Sequence, residues 1–131
     1  MKYSSREIGK MGEKIAVRFL LAGKFRILDR NFSCPLGEID IVTKKNNRVI
    51  FFEVKTRTSN EFGHPLESIT EQKKKHILRS CYYYLGKYNL FDNPYRVDAI
   101  GINLNPEGKF QILTHVKNIL QDVTNYTNYI N

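Results

Sequence analysis

Two runs of this chain bring acidic and basic side chains together at strand spacing. They are Gly37-Glu38-Ile39-Asp40-Ile41-Val42 and Phe51-Phe52-Glu53-Val54-Lys55. In residues 38–44, Ile39, Ile41 and Thr43 alternate with Glu38, Asp40 and Val42. In residues 49–57, Ile50, Phe52, Val54 and Thr56 alternate with Val49, Phe51, Glu53, Lys55 and Arg57. Lys45-Asn46-Asn47-Arg48 joins them, and Asn tolerates the positive φ of a tight hairpin turn. With Asn46-Asn47 as the turn, Asp40 lies opposite Glu53 and Glu38 opposite Lys55, all four on one face. Opposed Cα atoms sit about 4.5–5.5 Å apart. Two carboxylates so placed repel each other unless positive charge lies between them. A divalent cation is one source of that charge, and hard oxygen ligands suit Mg²⁺ or Mn²⁺. Lys55 is then placed to reach a water or a phosphate beside the ion. A β-bulge would shift this register by one residue. The competing reading is structural, a charged ladder on an exposed sheet face with Glu38–Lys55 as a salt bridge. Phe51, Phe52, Ile39, Ile41 and Val54 weigh against it, because charges inside such apolar strands are costly to bury unpaired.

The elements that must hold these residues can be read from periodicity. Residues 4–22 predict a helix with Ile8, Met11, Ile15 and Phe19 as its apolar stripe. Ser4 or Ser5 can cap its start, and Gly23 suits a left-handed end. Glu13 falls near the stripe boundary, beside Gly9, Ala16 and Leu20. Gly9 and Gly12 keep that surface slim, so a carboxylate there can reach the sheet; an ordinary boundary Glu is the plainer reading. Residues 25–31 predict a strand, and Cys34-Pro35-Leu36-Gly37 a turn. Residues 58–69 form a loop with Gly63-His64-Pro65. His64 can approach the site, though a turn or solvent role is the plainer reading. A second helix spans about 70–86, begun by Thr70 or by a Ser68…Glu71 capping box, with Ile77, Cys81 and Leu85 inward. Residues 95–103 and 109–116 predict two more strands. The order α-β-β-β-α-β-β predicts an α/β fold with a central mixed five-stranded sheet flanked by helices. Residues 1–116 make one domain, and residues 117–131 a weakly patterned tail with at most a short helix.

Charge narrows the function. The chain has 131 residues and a formal net charge of +8. Lys109 and Lys117 balance Glu107 and Asp122, so the excess lies in residues 1–100. Lys44, Lys45, Arg57, Lys73, Lys74, Lys75 and Arg79 form clusters interleaved with apolar segments, which predicts a basic face and a polyanionic partner. Tyr82, Tyr83 and Tyr84 can stack on bases or simply pack. No run approaches the roughly 18–20 apolar residues of a membrane span, and no signal-peptide pattern opens the chain. Cys34 and Cys81 make no Cys-x-x-Cys pair and read as reduced thiols in a cytoplasmic setting.

Taken together, Gly12-Glu13, Arg30-Asn31-Phe32, residues 37–42 and 51–57, Phe62-Gly63, Lys73 and Arg96-Val97-Asp98 resemble the YraN-like bacterial family. That family is grouped with the PD-(D/E)xK nucleases of restriction-endonuclease-like fold and is similar to archaeal Holliday-junction resolvases. The resemblance implies that Asp40 and Glu53, with the Val54 carbonyl, hold Mg²⁺ or Mn²⁺, that Glu13 supports that ion or a second, and that Lys55 is the catalytic lysine. The implied activity is metal-dependent endonucleolytic hydrolysis of DNA, selective for structures such as junctions or flaps. A homodimer would suit a symmetric junction. DNA stands ahead of RNA as partner, and a membrane is not expected. Two other classes fit the same residues. One is a nucleic-acid-binding or ribosome-associated factor with little activity. The other is an interaction protein docking an acidic partner.

Overall fold

A computed structural model describes residues 3–58, 65–120 and 125–130, the last six and residues 65–66 by their backbone alone. His64 lies outside the described residues.

Helix α1 (Ser5–Ala22) starts at a reciprocal cap. Ser4 Oγ accepts the Glu7 N–H at 3.1 Å, and Glu7 Oε1 accepts the Ser4 N–H at 3.0 Å. Gly23 ends the helix at φ −81°, and the left-handed residue is Lys24 instead, at φ 66°. The buried positions are Ile8, Gly12, Ala16 and Leu20, so the inward stripe is rotated from the expected Ile8-Met11-Ile15-Phe19. Strands β1 (Arg26–Cys34), β2 (Gly37–Lys45) and β3 (Arg48–Arg57) form an antiparallel meander. Asn46 and Asn47 turn the β2–β3 hairpin at φ 50° and 63°, as expected of a primed turn.

Helix α2 (Glu71–Lys87) follows a 3-10 turn at Pro65–Ser68. Thr70, rather than a Ser68…Glu71 box, caps it, its hydroxyl accepting the Lys73 N–H at 3.1 Å. Strand β4 (Tyr95–Leu104) then pairs parallel with β3, and β5 (Phe110–Lys117) antiparallel with β4. The parallel pair needs a long crossover, and the connection carrying α2 supplies it. The expected α/β fold and element order are those observed. A further strand, β6 (Asn125–Ile130), pairs with β5 in the segment where at most a short helix was expected. The described sheet runs β1-β2-β3-β4-β5-β6.

Two cores cover the sheet. Phe51, Val49, Val97 and Ala99 face α2 through Cys81, Tyr84 and Leu85. Phe52, Ile50, Ile100 and Ile102 face α1 through Ile8, Ala16 and Leu20. The neighbours Phe51 and Phe52, both fully buried, thus feed opposite cores. Each contributes about 2–3 kcal/mol of transfer free energy and holds β3 in register. No helix among the described residues is long and apolar enough to cross a membrane.

Candidate functional site

The β2–β3 register is the expected one from Lys45↔Arg48 to Ile41↔Phe52. There the backbone ladder gives way to a side-chain bond. Asp40 Oδ2 accepts the Val54 N–H at 2.7 Å. Asp40 and Glu53 are therefore not the ladder pair that alternation predicts. The reason is a turnover of β2 at Asp40. Ile39 packs in the α2-side core and Ile41 in the α1-side core, although residues two apart on a regular strand share a face. The distortion crosses into β1. Arg30↔Ile41 and Phe32↔Ile39 pair normally, while Asn31 between them has φ 52°. Asn accepts that conformation at low cost.

This turnover divides the acidic residues between two adjoining clefts, with Lys55 in both. The first, about 200 Å³, brings Glu38, Glu53 and Lys55 against Lys73 and His76 of α2. The second, about 300 Å³, brings Asp40, Val54 and Lys55 against Arg6, Lys10 and Glu13 of α1. Lys55 Nζ lies 3.3 Å from Glu53 Oε1. The Asp40 carboxyl is raised to about 7. Burial is the main cause, the Glu53 charge the next, and Glu13 adds to it; the Val54 N–H and Lys55 act the other way.

Glu13 arrives there because Gly12 precedes it. A Cβ on Gly12 would stand 1.8 Å from Thr56 Oγ1, so only a glycine lets α1 seat this closely on β3. Gly9, the other expected slim position, faces open space. Glu13 Oε1 is buried with no hydrogen-bond partner, and its charge is answered by Arg30 Nη2 at 3.7 Å. Among the described residues, no three His, Cys, Asp or Glu side chains form a ready-made metal cage.

The expected basic face divides in a similar way. Lys73 lines the Glu53 cleft and donates to the Ser68 carbonyl at 3.1 Å. Lys75 and Arg79 line a shallow hollow with Gln72 and His76, and His76 connects that hollow to the cleft. Lys74 pairs with Glu71 at 3.2 Å. Arg57 ends β3 two residues beyond Lys55. Lys44 and Lys45 stand at the hairpin end of β2, about 13–17 Å along the strand from Asp40, and Lys45 Nζ donates to the Gly23 carbonyl at 2.8 Å. Tyr84 packs edge-on to Phe32 and Phe51, while Tyr82 and Tyr83 are exposed. Cys34 and Cys81 are free thiols.

Sequence reasoning gave no role to three features. Arg6 and Lys10 share a helical stripe with Glu13, a spacing open to inspection. His76 was hidden beside its three lysines. The buried Asp98 accepts from Arg96 Nε at 2.9 Å, Arg96 Nη2 at 3.1 Å and the Asn118 N–H at 2.9 Å, and meets His115 Nε2 at 2.8 Å. Burial would raise its carboxyl, but these bonds outweigh it and leave the group below its ordinary value. A charge inside the apolar run Val97–Ile102 was the available signal.

The sequence model of uncharacterised protein family UPF0102 matches residues 12–102. The chain belongs to that family. UPF0102, the YraN-like family, is part of the restriction-endonuclease-like superfamily. A UPF0102 protein of Caldicellulosiruptor saccharolyticus is 39% identical over 115 residues, 88% of this chain and 98% of its own length. One of Clostridioides difficile is 42% identical over 101 residues, 77% of this chain and 89% of its own length. One of Clostridium botulinum is 39% identical over 122 residues, 92% of this chain and 99% of its own length. The UPF0102 match encloses Glu13, Asp40, Glu53 and Lys55, while Arg6 and Lys10 of the second cleft precede it.

Proposed function

We propose that this UPF0102 chain is a divalent-metal-dependent endonuclease acting on nucleic acid, DNA before RNA. The observation that carries this reading is the mutual crowding of Glu13, Asp40 and Glu53 around Lys55. Burial first, and then the charges of Glu53 and Glu13, raise Asp40 to about 7, and Glu13 Oε1 is buried without a hydrogen bond. Carboxylates so crowded are relieved by a cation, and an all-oxygen donor set suits Mg²⁺ or Mn²⁺. Asp40, Glu53 and the Val54 carbonyl would hold the ion, with Glu13 in support. Its contribution when bound is Lewis-acid chemistry, the acidification of water and neutralisation of phosphate charge.

The chain's own residues do the rest. The Val54 N–H orients the Asp40 carboxylate. Glu53 holds Lys55 Nζ between the two clefts, from where the ammonium donates to a phosphate oxygen and stabilises charge as it develops. Lys73, His76, Lys75 and Arg79 carry the flanking phosphates along α2, contacts that position a strand without reading its sequence.

The test is incubation of purified protein with Mg²⁺ or Mn²⁺ and single-stranded, duplex, flap and four-way DNA, or structured RNA. Cleavage by the wild type, lost in Glu53→Ala and in Lys55→Ala, is the expected result. Equal trace cleavage by all three proteins, or none on any substrate, sinks the nuclease reading. Retained nucleic-acid binding would in that case leave the chain a binding factor.

A further inference from the structure

A further cavity lies at the other end of the sheet. It encloses about 630 Å³ beneath the C-terminal end of α1 and beside the β2–β3 turn. Arg48 at its rim and Lys55 in the clefts are seven residues apart on β3, about 23 Å, so one ligand phosphate cannot serve both. The volume falls within the range of small-molecule sites.

Its lining is two-sided in chemistry. Lys45, Arg48, Arg96 and Lys117 supply cationic groups, and among the described residues no acidic side chain lines it. Phe19, Phe25 and Ile50 supply an apolar floor. Several of these groups are held in place beforehand. Two guanidinium nitrogens of Arg96 bond to Asp98, which sets that side chain on the cavity wall. His115 Nε2 bonds to the same carboxylate, so its ring is fixed, tilted against Phe52 and edge-on to Phe19. Lys45 is held by the Gly23 carbonyl and lies 4.5 Å over the Phe25 ring. Arg48 and Lys117 are exposed at the rim. Buried Asp98 thus organises the wall from behind and answers the Arg96 charge, which leaves Lys45, Arg48 and Lys117 as the cations of the lining.

A ligand matching this lining carries an anionic group for the rim and a flat, weakly polar ring for the floor. We infer that the cavity is a nucleotide site, with the phosphate held by Arg48 and Lys117 and the base laid against Phe19, beside Lys45. The nucleotide can be free or the 5′-phosphorylated end of a strand, since both present the same groups. The site is independent of the clefts and of any cleavage there.

Calorimetric titration in the presence of a chelator, which removes metal-dependent cleavage from the measurement, tests it. The probes are AMP, inorganic phosphate and a 5′-phosphorylated trinucleotide. Wild type is expected to bind AMP saturably, one per chain, and more tightly than phosphate. Arg48→Ser with Lys117→Ser is expected to weaken this at least about tenfold, since hydrogen bonds to charged groups are at stake. Lys14→Ser with Arg18→Ser removes the same charge from the exposed side of α1 and should leave binding unchanged. AMP binding tighter than the trinucleotide supports a free nucleotide, and the reverse supports a strand end. No saturable binding, equal weakening by both double variants, or phosphate binding as tight as AMP overturns the nucleotide site.

Discussion

Asp40 carries the sharpest residue-scale consequence, because its carboxyl is raised to about 7 by burial and by the neighbouring carboxylates. The unfolded chain releases that proton near the ordinary value of 3.8. Between those two values the folded state holds the extra proton, so the contribution of this carboxyl to metal-free stability is complete below about pH 4 and is lost as pH rises through about 7. Asp40→Asn keeps an acceptor for the Val54 N–H and removes the charge. Above pH 7 the metal-free variant should melt several degrees above wild type, and the gap should close below about pH 4. Melting curves across pH in chelator check this; a gap that is constant with pH would mean that the carboxylates do not crowd each other. The same variant should lose the rise in melting temperature that Mg²⁺ or Mn²⁺ gives to wild type if Asp40 holds the ion.

At the scale of elements, the seating of α1 on β3 depends on one missing methyl group. Gly12→Ala places a Cβ 1.8 Å from Thr56 Oγ1, and overpacking of this kind costs about 1–3 kcal/mol. Thr56→Ala in the same chain should recover part of that loss, measured by urea denaturation. No recovery would mean that helix propensity, which favours Ala, or another contact governs the position. Asp98 ties β4 to β5 through His115 and to the following turn through the Asn118 N–H. Asp98→Ala leaves the Arg96 guanidinium without its partner, a loss of about 3–5 kcal/mol for a buried pair. Because the Asp98 carboxyl lies below its ordinary value, its contribution is complete above that value and is lost as pH falls through the folded one. Wild type should accordingly lose its advantage over the variant in acid.

These elements also mark where sequence reading stopped. The hairpin register was legible because two Asn residues at a turn leave few alternatives. The turnover at Asp40 was not, since it arises from a side chain replacing a ladder carbonyl and from Asn31 across the strand. The inward stripe of α1 was misjudged because close approach put Gly12 and Ala16, rather than the bulkier Met11 and Ile15, nearest the sheet. Strand β6 places Asn at every third position among Tyr, Thr and Ile rather than at alternate ones, and Asn's weak strand preference hid it.

Across the whole molecule, the excess charge is distributed by direction rather than by amount. The three consecutive lysines of α2 illustrate it. Lys73 faces the Glu53 cleft, Lys74 pairs with Glu71, and Lys75 joins Arg79 and His76 in the neighbouring hollow. A strand lying along α2 would displace salt ions from Lys73, Lys75 and Arg79 and leave Lys74 largely as it is. Each phosphate contact adds about 0.7–0.9 to the slope of log affinity against log salt. Lys75→Ala and Arg79→Ala should each lower that slope by nearly that amount, with Lys74→Ala having little effect. Affinities measured at four or five salt concentrations on a catalytically silent Glu53→Ala background separate binding from cleavage. If all three substitutions lower the slope equally, binding responds to net charge alone and α2 is not the track; if none does, the basic face lies elsewhere on the sheet.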